Sequence, residues 1–408
     1  MRLEAKARSG FAQSVASRRR FQIGIAFSAF VLIGANDAGL GILLPSISAH
    51  YGISTGTAGL LFPASALGYL SAALGSGLLL ERLGRRDLFV LGAAIFSTGA
   101  TLVFTMPPFP LLLLSLLCIG FGVAILDAGL NAYIAGLPSS TGLLNYLHAF
   151  YGIGALLGPV IASAVLALAW AWNVTYLIWT GAGLLALASF GVVFERRGSP
   201  QAASGGGAGE GNVLMSALQS RVVWICAIFL LVYVGTEVSL GSWSYSLLTK
   251  ERHQVSLIAG WMVSGYWLGL TVGRLVLGRV ADRIGSQRLI IGCLGGVIAG
   301  VLLVWVAPAG VVAACGLWLA GFSLGPIFPT TIAVISRLVS PRLQQSAIGF
   351  AASLGSMGAA VFPWLAGNLV QRIGLWSLLP YAAVLALVML AFWALLRRVA
   401  GPRFAANT

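Results

Sequence analysis

The chain has 408 residues, of which 59% are hydrophobic and 8% are charged, and its mean hydropathy is +0.95. A single water-soluble core cannot bury so much apolar surface, so the composition excludes an ordinary soluble domain and indicates an integral membrane protein. The net charge of +14 does not indicate nucleic-acid binding, because the basic residues stand at the ends of apolar segments and form no single stripe.

Twelve apolar stretches follow one another along the chain. Each is long enough to cross a hydrocarbon layer of roughly 30 Å at a rise of about 1.5 Å per residue. Glycine and proline occur within these stretches, which membrane-spanning helices tolerate. We predict membrane helices at 21–48, 56–80, 88–106, 110–137, 143–170, 173–194, 222–248, 254–279, 288–307, 310–337, 343–371 and 375–396.

The placement of lysine and arginine predicts the orientation of these helices. If the N-terminus is cytoplasmic, the cytoplasmic segments contain 20 of the 24 basic residues. Because basic residues concentrate in cytoplasmic loops, we predict a multi-pass protein of the cell membrane with both termini in the cytoplasm. We also expect the protein to be monomeric.

A similar charged sequence follows the second and the eighth predicted helices. The first copy begins at Gly77 and the second at Gly278, 201 residues later. Adding the same offset to the position of Asp37 gives the residue directly after Glu237. We therefore predict two copies of a six-helix unit. The expected organisation is a cytoplasmic tail at 1–20, six helices at 21–194, a cytoplasmic linker at 195–221, six helices at 222–396 and a tail at 397–408.

Each copy of the loop combines glycine, an acid and flanking arginines. Glycine lets helices approach closely, and the arginines can pair with the acid and with the ends of neighbouring helices. A charged turn that only sets topology is the alternative interpretation. We predict a gating role for Gly77, Glu81, Arg82, Gly84, Arg85 and Arg86 in the first copy and for Gly278, Asp282 and Arg283 in the second.

Two acids, Asp37 and Asp127, lie near the middle of apolar segments. A carboxylate at that depth costs about 2.5 to 3.5 kcal/mol even on lenient insertion scales, and such residues usually handle protons or polar solutes. Asp127 shares one helix face with Asn131, four residues later. We predict that both acids couple transport to protons, and the alternative is a neutral, hydrogen-bonded structural acid.

The fifth predicted helix places Asn145 and His148 on a common face. Histidine changes its charge near neutral pH, so His148 is a third candidate for proton coupling. A packing histidine near the cytoplasmic mouth remains the alternative.

The seventh and eighth predicted helices carry polar and aromatic residues at mid-membrane depth. Aromatic faces with hydroxyl and carboxylate neighbours bind sugars well, although scattered Trp and Tyr also form ordinary interfacial belts. Arg274 either pairs with an acid or an anionic substrate, or reaches toward the membrane surface. The predicted substrate-binding residues are Asn36, Asn131, Asn145, Tyr151, Tyr233, Glu237, Trp243, Tyr266 and Trp267.

The four cysteines stand singly in apolar helices, without metal-ligand spacing. We expect no metal site, no disulfide and no cofactor.

The loop that begins at Gly77 resembles the motif between helices 2 and 3 of the major facilitator superfamily, with Glu81 in place of the usual Asp. The resemblance implies two six-helix bundles around a central cavity that opens alternately to either side, with the loop as a cytoplasmic latch. The acids and polar residues of helices 1, 4, 5 and 7 resemble the fucose permease branch, which contains proton-coupled sugar carriers. In those carriers, acids of helices 1 and 4 serve proton coupling and sugar binding, and the matching positions are Asp37 and Asp127.

The sequence thus predicts an all-α membrane protein with twelve transmembrane helices in two pseudo-symmetric six-helix bundles. The predicted function is proton symport of a small polar solute, a sugar, by alternating access. A proton-driven exporter of amphipathic compounds uses the same features in the opposite direction. A multipass membrane enzyme fits poorly, because the loops are short and carry no catalytic cluster.

Overall fold

The computed structural model describes the backbone of residues 2–137, 140–195, 215–306 and 310–401. It describes the side chains of these ranges from residue 18 onward, apart from residues 73, 74, 76–78, 80, 81, 141 and 280–282. Within the described ranges the chain is helical and contains no β-strand. The prediction of an all-α protein is therefore confirmed.

Helices follow one another with short connections. The first half contains α1 (Arg2–Tyr51), α2 (Thr55–Ala58), α3 (Leu61–Phe104), α4 (Phe109–Ala135), α5 (Ser140–Ala167) and α6 (Val174–Val193). The second half contains α7 (Arg221–Ser246), α8 (Ser256–Ile284), α9 (Ser286–Val306), α10 (Gly310–Leu324), α11 (Ile327–Leu338), α12 (Gln344–Ile373) and α13 (Leu378–Ala400). A π-helical turn, Leu247–Glu251, extends α7.

Ten helical segments of the described chain are long and apolar enough to cross a membrane. The two remaining predicted spans, 56–80 and 254–279, are also helical and fall mainly on α3 and α8. All twelve predicted spans therefore coincide with helical segments. The predicted single span at 310–337 corresponds to two helices, α10 and α11.

The break between α10 and α11 lies at Gly325 and Pro326. Pro329, which follows in the same span, causes no second break. Pro329 lies in the first turn of α11, where a backbone N–H has no partner within the helix and its absence therefore does no harm.

The chain divides into two compact units that cut across the predicted sequence halves. The first unit contains residues 1–36, 67–154 and 173–203, and the second contains 37–66, 155–172 and 204–408. Parts of α1 and α5 thus pack with the second half of the sequence. The two compact units group residues that contact one another, whereas the repeat concerns similarity between the two halves of the sequence. The six-helix repeat therefore stays a prediction from the sequence.

Equivalent glycines make equivalent contacts within each unit. In the first unit a Cβ atom on Gly68 would overlap the carbonyl oxygen of Leu117 and lie 3.0 Å from the backbone nitrogen of Phe121. In the second unit, 201 residues later at each position, a Cβ atom on Gly269 would overlap the carbonyl oxygen of Trp318 and lie 3.0 Å from the nitrogen of Phe322. Two helices approach closely there because glycine has no side chain.

A second pair of glycines shows the same offset. A Cβ atom on Gly99 would lie 2.8 Å from the carbonyl oxygen of Ser115, and one on Gly300 would lie 2.6 Å from that of Gly316. The repeat inferred from the loop motif therefore extends to helix packing. This agreement supports the interpretation that the two halves share one plan.

The loop glycines Gly84 and Gly285 are also 201 residues apart, and both have a positive φ, of 75° and 81°. L-residues with a side chain rarely adopt this conformation. Gly84 interrupts α3, and Gly285 separates α8 from α9. The backbone conformation of the turn therefore requires glycine at this position. This is a second reason for the glycine, besides the close approach of helices that we predicted from the sequence.

Within the second unit, the second half of α1 packs against α7. A Cβ atom on Gly41 would lie 2.5 Å from the Cα atom of Ser242. These two residues are again 201 positions apart, so α1 and α7 cross at equivalent points of the repeat. In the same unit Ser264 of α8 donates a hydrogen bond from Oγ to the carbonyl oxygen of Leu156 on α5, at 2.8 Å.

Candidate functional site

In the first unit, Asp127 accepts hydrogen bonds at both carboxylate oxygens. Asn131, one turn later on α4, donates from Nδ2 to Oδ1 at 2.8 Å. Tyr69 of α3 donates from its hydroxyl group to Oδ2 at 2.6 Å. The two predicted polar residues of α4 are thus brought together, and a tyrosine that we did not single out completes the set.

His148 of α5 interacts electrostatically with Asp127. Its side chain is exposed, and its ring meets the ring of Phe30 edge-on, with centroids 5.8 Å apart. A partly buried, hydrogen-bonded acid and an accessible histidine can pass a proton between them and the solvent. We call Tyr69, Asp127, Asn131 and His148 the Asp127 cluster.

Asp37 belongs to the second unit, in which its side chain is exposed. It precedes Gly41 by four residues, so the two lie on the same face of α1. Because Gly41 packs on Ser242, Asp37 lies on the face of α1 that turns toward α7.

A second polar group surrounds Glu237 on α7. The hydroxyl group of Tyr266 on α8 donates to the backbone carbonyl oxygen of Glu237 at 2.8 Å. The guanidinium group of Arg274, also on α8, interacts electrostatically with Glu237. Arg274 also donates from Nε to the carbonyl oxygen of Gly325 at 3.3 Å, where the break after α10 exposes that oxygen.

The hydroxyl group of Tyr233 is buried near these residues. It has no hydrogen-bond partner of standard geometry, yet it is close enough to interact with both Glu237 and Arg274. We call Tyr233, Glu237, Tyr266 and Arg274 the Glu237 cluster. Of the two interpretations of Arg274, the electrostatic interaction with Glu237 agrees better with a role beside an acid.

The two tryptophans predicted to bind substrate have different surroundings. Trp243 is buried and donates from Nε1 to the carbonyl oxygen of Pro363 at 2.9 Å, which is a packing arrangement. Trp267 lies against Gly241, at which a Cβ atom would overlap the indole ring. Its Nε1 is buried without a hydrogen-bond partner, so this indole keeps a donor for a bound molecule or water.

The remaining predicted binding residues lie on α1 and α5. Asn36 is buried, Asn145 is exposed and Tyr151 is partly buried. Their role in binding stays a prediction.

The loop arginines contact the ends of neighbouring helices in the first unit. The guanidinium carbon of Arg85 lies 5.3 Å from the ring centre of Tyr133 on α4. Arg86 donates from Nε to the carbonyl oxygen of Gly191 in the last turn of α6, at 2.9 Å. A cation at the C-terminus of a helix is stabilised by the helix dipole. Arg82, Gly278 and Arg283 are exposed, while Gly77, Glu81 and Asp282 lie outside the described side chains.

The sequence interpretation missed Tyr69. The only local signal was a tyrosine among small residues in a membrane span, which is compatible with simple packing. Its role depends on a neighbour 58 residues later in the chain, and a hydrogen bond between helices has no signature in one helix.

The twelve-helix fold and the polar groups held within it define a membrane transporter. A family model described as Major Facilitator Superfamily matches residues 26–257 and 241–407. The chain belongs to this superfamily, and the resemblance inferred from the loop motif is confirmed.

Curated relatives align along most of the chain. The "Bypass of stop codon protein 6" of Saccharomyces cerevisiae is 25% identical over 90% of this chain and 79% of its own length. The 3-(3-hydroxy-phenyl)propionate transporter of Escherichia coli is 26% identical over 88% of each chain. The glucose/mannose transporter of Bacillus subtilis is 21% identical over 86% of this chain and 88% of its own length.

Solved structures share the fold at low sequence identity. A nucleoside transporter matches with a TM-score of 0.77 at 14% identity, covering 91% of this chain and 99% of that chain. A D-xylose–proton symporter matches with a TM-score of 0.72 at 17% identity, covering 91% and 97%. The fucose:proton symporter of Escherichia coli has a TM-score of 0.59 at 17% identity, covering 92% and 98%. The fucose permease branch is therefore one of several structural neighbours.

Proposed function

We propose that this protein is a proton symporter that moves a small polar solute, a sugar, across the cell membrane by alternating access. Relatives named as a glucose/mannose transporter and a 3-(3-hydroxy-phenyl)propionate transporter support a small polar cargo. Neighbours named as proton symporters of D-xylose and fucose support coupling to protons.

The geometry of Asp127 is the observation that carries the proposal. The side-chain NH2 group of Asn131 can only donate, whereas the hydroxyl group of Tyr69 can donate or accept. When Asp127 is ionised, both groups donate to it, as the structure has them. When Oδ2 takes a proton, Tyr69 can turn its hydroxyl group and accept. The cluster therefore accommodates both charge states, with Oδ2 as the oxygen that takes the proton.

Charge neutralisation gives the proton its role in the cycle. A carboxylate is costly to enclose in a low-dielectric environment, while the neutral acid is not. Protonation of Asp127 therefore favours closure of the cavity around the cargo, and release of the proton favours reopening. His148 carries the proton between Asp127 and the water that reaches the exposed imidazole.

Within the second unit, cargo binding is assigned to the polar and aromatic residues of α7 and α8. Trp267 offers an unused indole N–H and a ring face, and the Glu237 cluster offers hydroxyl groups. Asp37 contributes from the face of α1 that turns toward α7. Sugars suit such a surface, since their ring faces stack on aromatic rings and their hydroxyl groups form directed hydrogen bonds.

We assign residues 21–194 and 222–396 to two six-helix halves that rock about the cargo, joined by a cytoplasmic linker at 195–221. Both termini are cytoplasmic, because that orientation places 20 of the 24 basic residues inside. The loops after the second and eighth spans, at Gly77 and Gly278, act as a latch on the cytoplasmic side of a monomeric carrier. The contacts of Arg85 and Arg86 with helix ends support this role.

Uptake into proteoliposomes tests the proposal. Purified protein is reconstituted, an inward proton gradient is imposed, and accumulation of labelled glucose, xylose and fucose is measured. We expect at least one sugar to accumulate when the outside is acidic and not when the gradient is collapsed. Asp37→Ala should weaken binding of that sugar. Gradient-driven expulsion of amphipathic compounds, with no sugar uptake, would favour the exporter and contradict the proposal.

A further inference from the structure

The Glu237 cluster contains a positive charge that a neutral sugar does not require. An arginine within a membrane bundle is costly, and it persists where it pairs with an acid or meets an anionic ligand. Arg274 interacts electrostatically with Glu237. Its Nε donates to the carbonyl oxygen of Gly325 at 3.3 Å, which helps to fix the orientation of the planar guanidinium group.

Tyr233 provides a second, independent observation. Its hydroxyl group is buried, with 1% of the residue exposed, and no partner of standard geometry satisfies it. A buried hydroxyl group without a partner costs free energy that a bound acceptor recovers. The hydroxyl group interacts with both Glu237 and Arg274, so an acceptor placed near Arg274 can also receive the tyrosine O–H.

We propose that Arg274 and Tyr233 bind a carboxylate group of the cargo, so that the transported solute is a sugar acid or a similar hydroxy acid. Glu237 is the internal carboxylate that holds Arg274 in the absence of cargo and gives way to the cargo's carboxylate. Trp267 and Tyr266 then face the hydroxylated part of the molecule. The inference rests on the proposed transport function and narrows its substrate class.

A carboxylate fits this cluster better than a phosphate group. A carboxylate carries one negative charge, which matches the single positive charge of Arg274, and its two oxygens match the planar guanidinium group. A phosphate monoester carries close to two negative charges at neutral pH, and Arg274 is the only cation that interacts with Glu237 and Tyr233 among the described residues. The expected ligand is therefore a monoanion.

Binding to the purified full-length protein tests this proposal without any proton gradient. Dissociation constants are measured by isothermal titration calorimetry for D-glucuronate, D-gluconate, D-glucose and glucose 6-phosphate. We expect at least one of the two carboxylates to bind at least about 10-fold more tightly than glucose and glucose 6-phosphate, which corresponds to one charge-assisted hydrogen bond. Failure of both carboxylates to bind, or equal affinity for glucose, overturns the proposal.

Variants separate a ligand role from a packing role. Arg274→Lys keeps the charge but loses the planar donor set, and should weaken carboxylate binding about 10-fold or more. Arg398→Ala is the matched control, since Arg398 is exposed in the last turn of α13, and it should bind as the wild type does. Binding by Arg274→Lys that equals the control contradicts the proposal.

Glu237→Gln gives the sharpest contrast. If Glu237 competes with the cargo, its neutral replacement binds the carboxylate at least as tightly as the wild type, whereas weaker binding overturns the proposal. The double variant Arg274→Gln, Glu237→Gln removes both charges together, so it leaves no isolated charge to unfold the protein. It should lose the preference for glucuronate or gluconate over glucose, and a retained preference counts against Arg274.

The same measurements distinguish this inference from the broader function. Carboxylate binding without proton-driven uptake would refute proton symport and support the anion site. Proton-driven uptake of neutral sugars without carboxylate binding would refute the anion site and support symport.

Discussion

The glycine contacts between helices permit a prediction that compares two positions on one helix. A Cβ atom on Gly269 would meet the backbone of Trp318 and Phe322, whereas one on Gly265, a turn earlier on α8, would meet nothing within 4 Å. Backbone atoms cannot rotate away, so Gly269→Ala forces α8 and α10 apart. Overpacking of this kind costs about 1 to 3 kcal/mol.

The net effect combines this cost with the gain in helix propensity. Alanine is more favourable than glycine within a helix by about 1 kcal/mol. We take the upper end of the overpacking cost, about 3 kcal/mol, because the obstacles are backbone atoms. After the gain of about 1 kcal/mol in helix propensity is subtracted, Gly269→Ala should destabilise the protein by about 2 kcal/mol. Gly265→Ala gains the propensity without the clash and should be neutral or stabilising.

Thermal unfolding of the purified variants in detergent provides the assay. The expected order of Tm is Gly265→Ala at or above the wild type and Gly269→Ala several degrees below it. The repeat makes a second pair available in the first unit, where Gly68→Ala should lower Tm and Gly75→Ala, with nothing within 4 Å, should not. Equal Tm values for the two members of either pair would refute the reasoning from helix contacts.

Three other variants test separate parts of the structure. Gly84→Ala places a side chain at φ 75° and should destabilise the protein by about 1 to 2 kcal/mol, whereas Gly75→Ala on the same helix should not, as thermal unfolding would show. Tyr69→Phe removes a donor to ionised Asp127, so the pH midpoint of proton-driven uptake should rise by at least about one unit, and an unchanged midpoint would remove Tyr69 from the proton site. Trp243→Phe loses one buried hydrogen bond and should lower stability by about 1 kcal/mol while leaving cargo affinity unchanged, and a large loss of affinity would restore Trp243 to the binding site.

The sequence predicted the helices well because apolar length is a local property. A span must be long enough and apolar enough to cross the membrane, and both features are visible in one segment. The repeat was also visible, since the loops at Gly77 and Gly278 share a charged pattern. The close contacts of Gly68 and Gly269 could not be predicted, because a side chain at either position would clash with the backbone of a second helix.

The candidate site was predicted only where its residues lie close together in the sequence. Asp127 and Asn131 are one turn apart, so their hydrogen bond follows from helix geometry. The hydrogen bond from Tyr69 and the electrostatic interaction of Arg274 with Glu237 join different helices. Sequence reasoning missed the first and left the second open, because no rule of spacing within a helix relates these residues.

Cargo-induced proton movement is the measurement that tests the central claim most directly. Proteoliposomes without an imposed gradient receive a saturating cargo, and the internal pH is followed with a trapped dye for the wild type and for Asp127→Asn. The account predicts that cargo entry acidifies the wild-type lumen, and that Asp127→Asn exchanges labelled cargo without acidification, because the amide cannot take the proton. Equal acidification by both proteins would show that Asp127 is not the group that couples proton movement to transport.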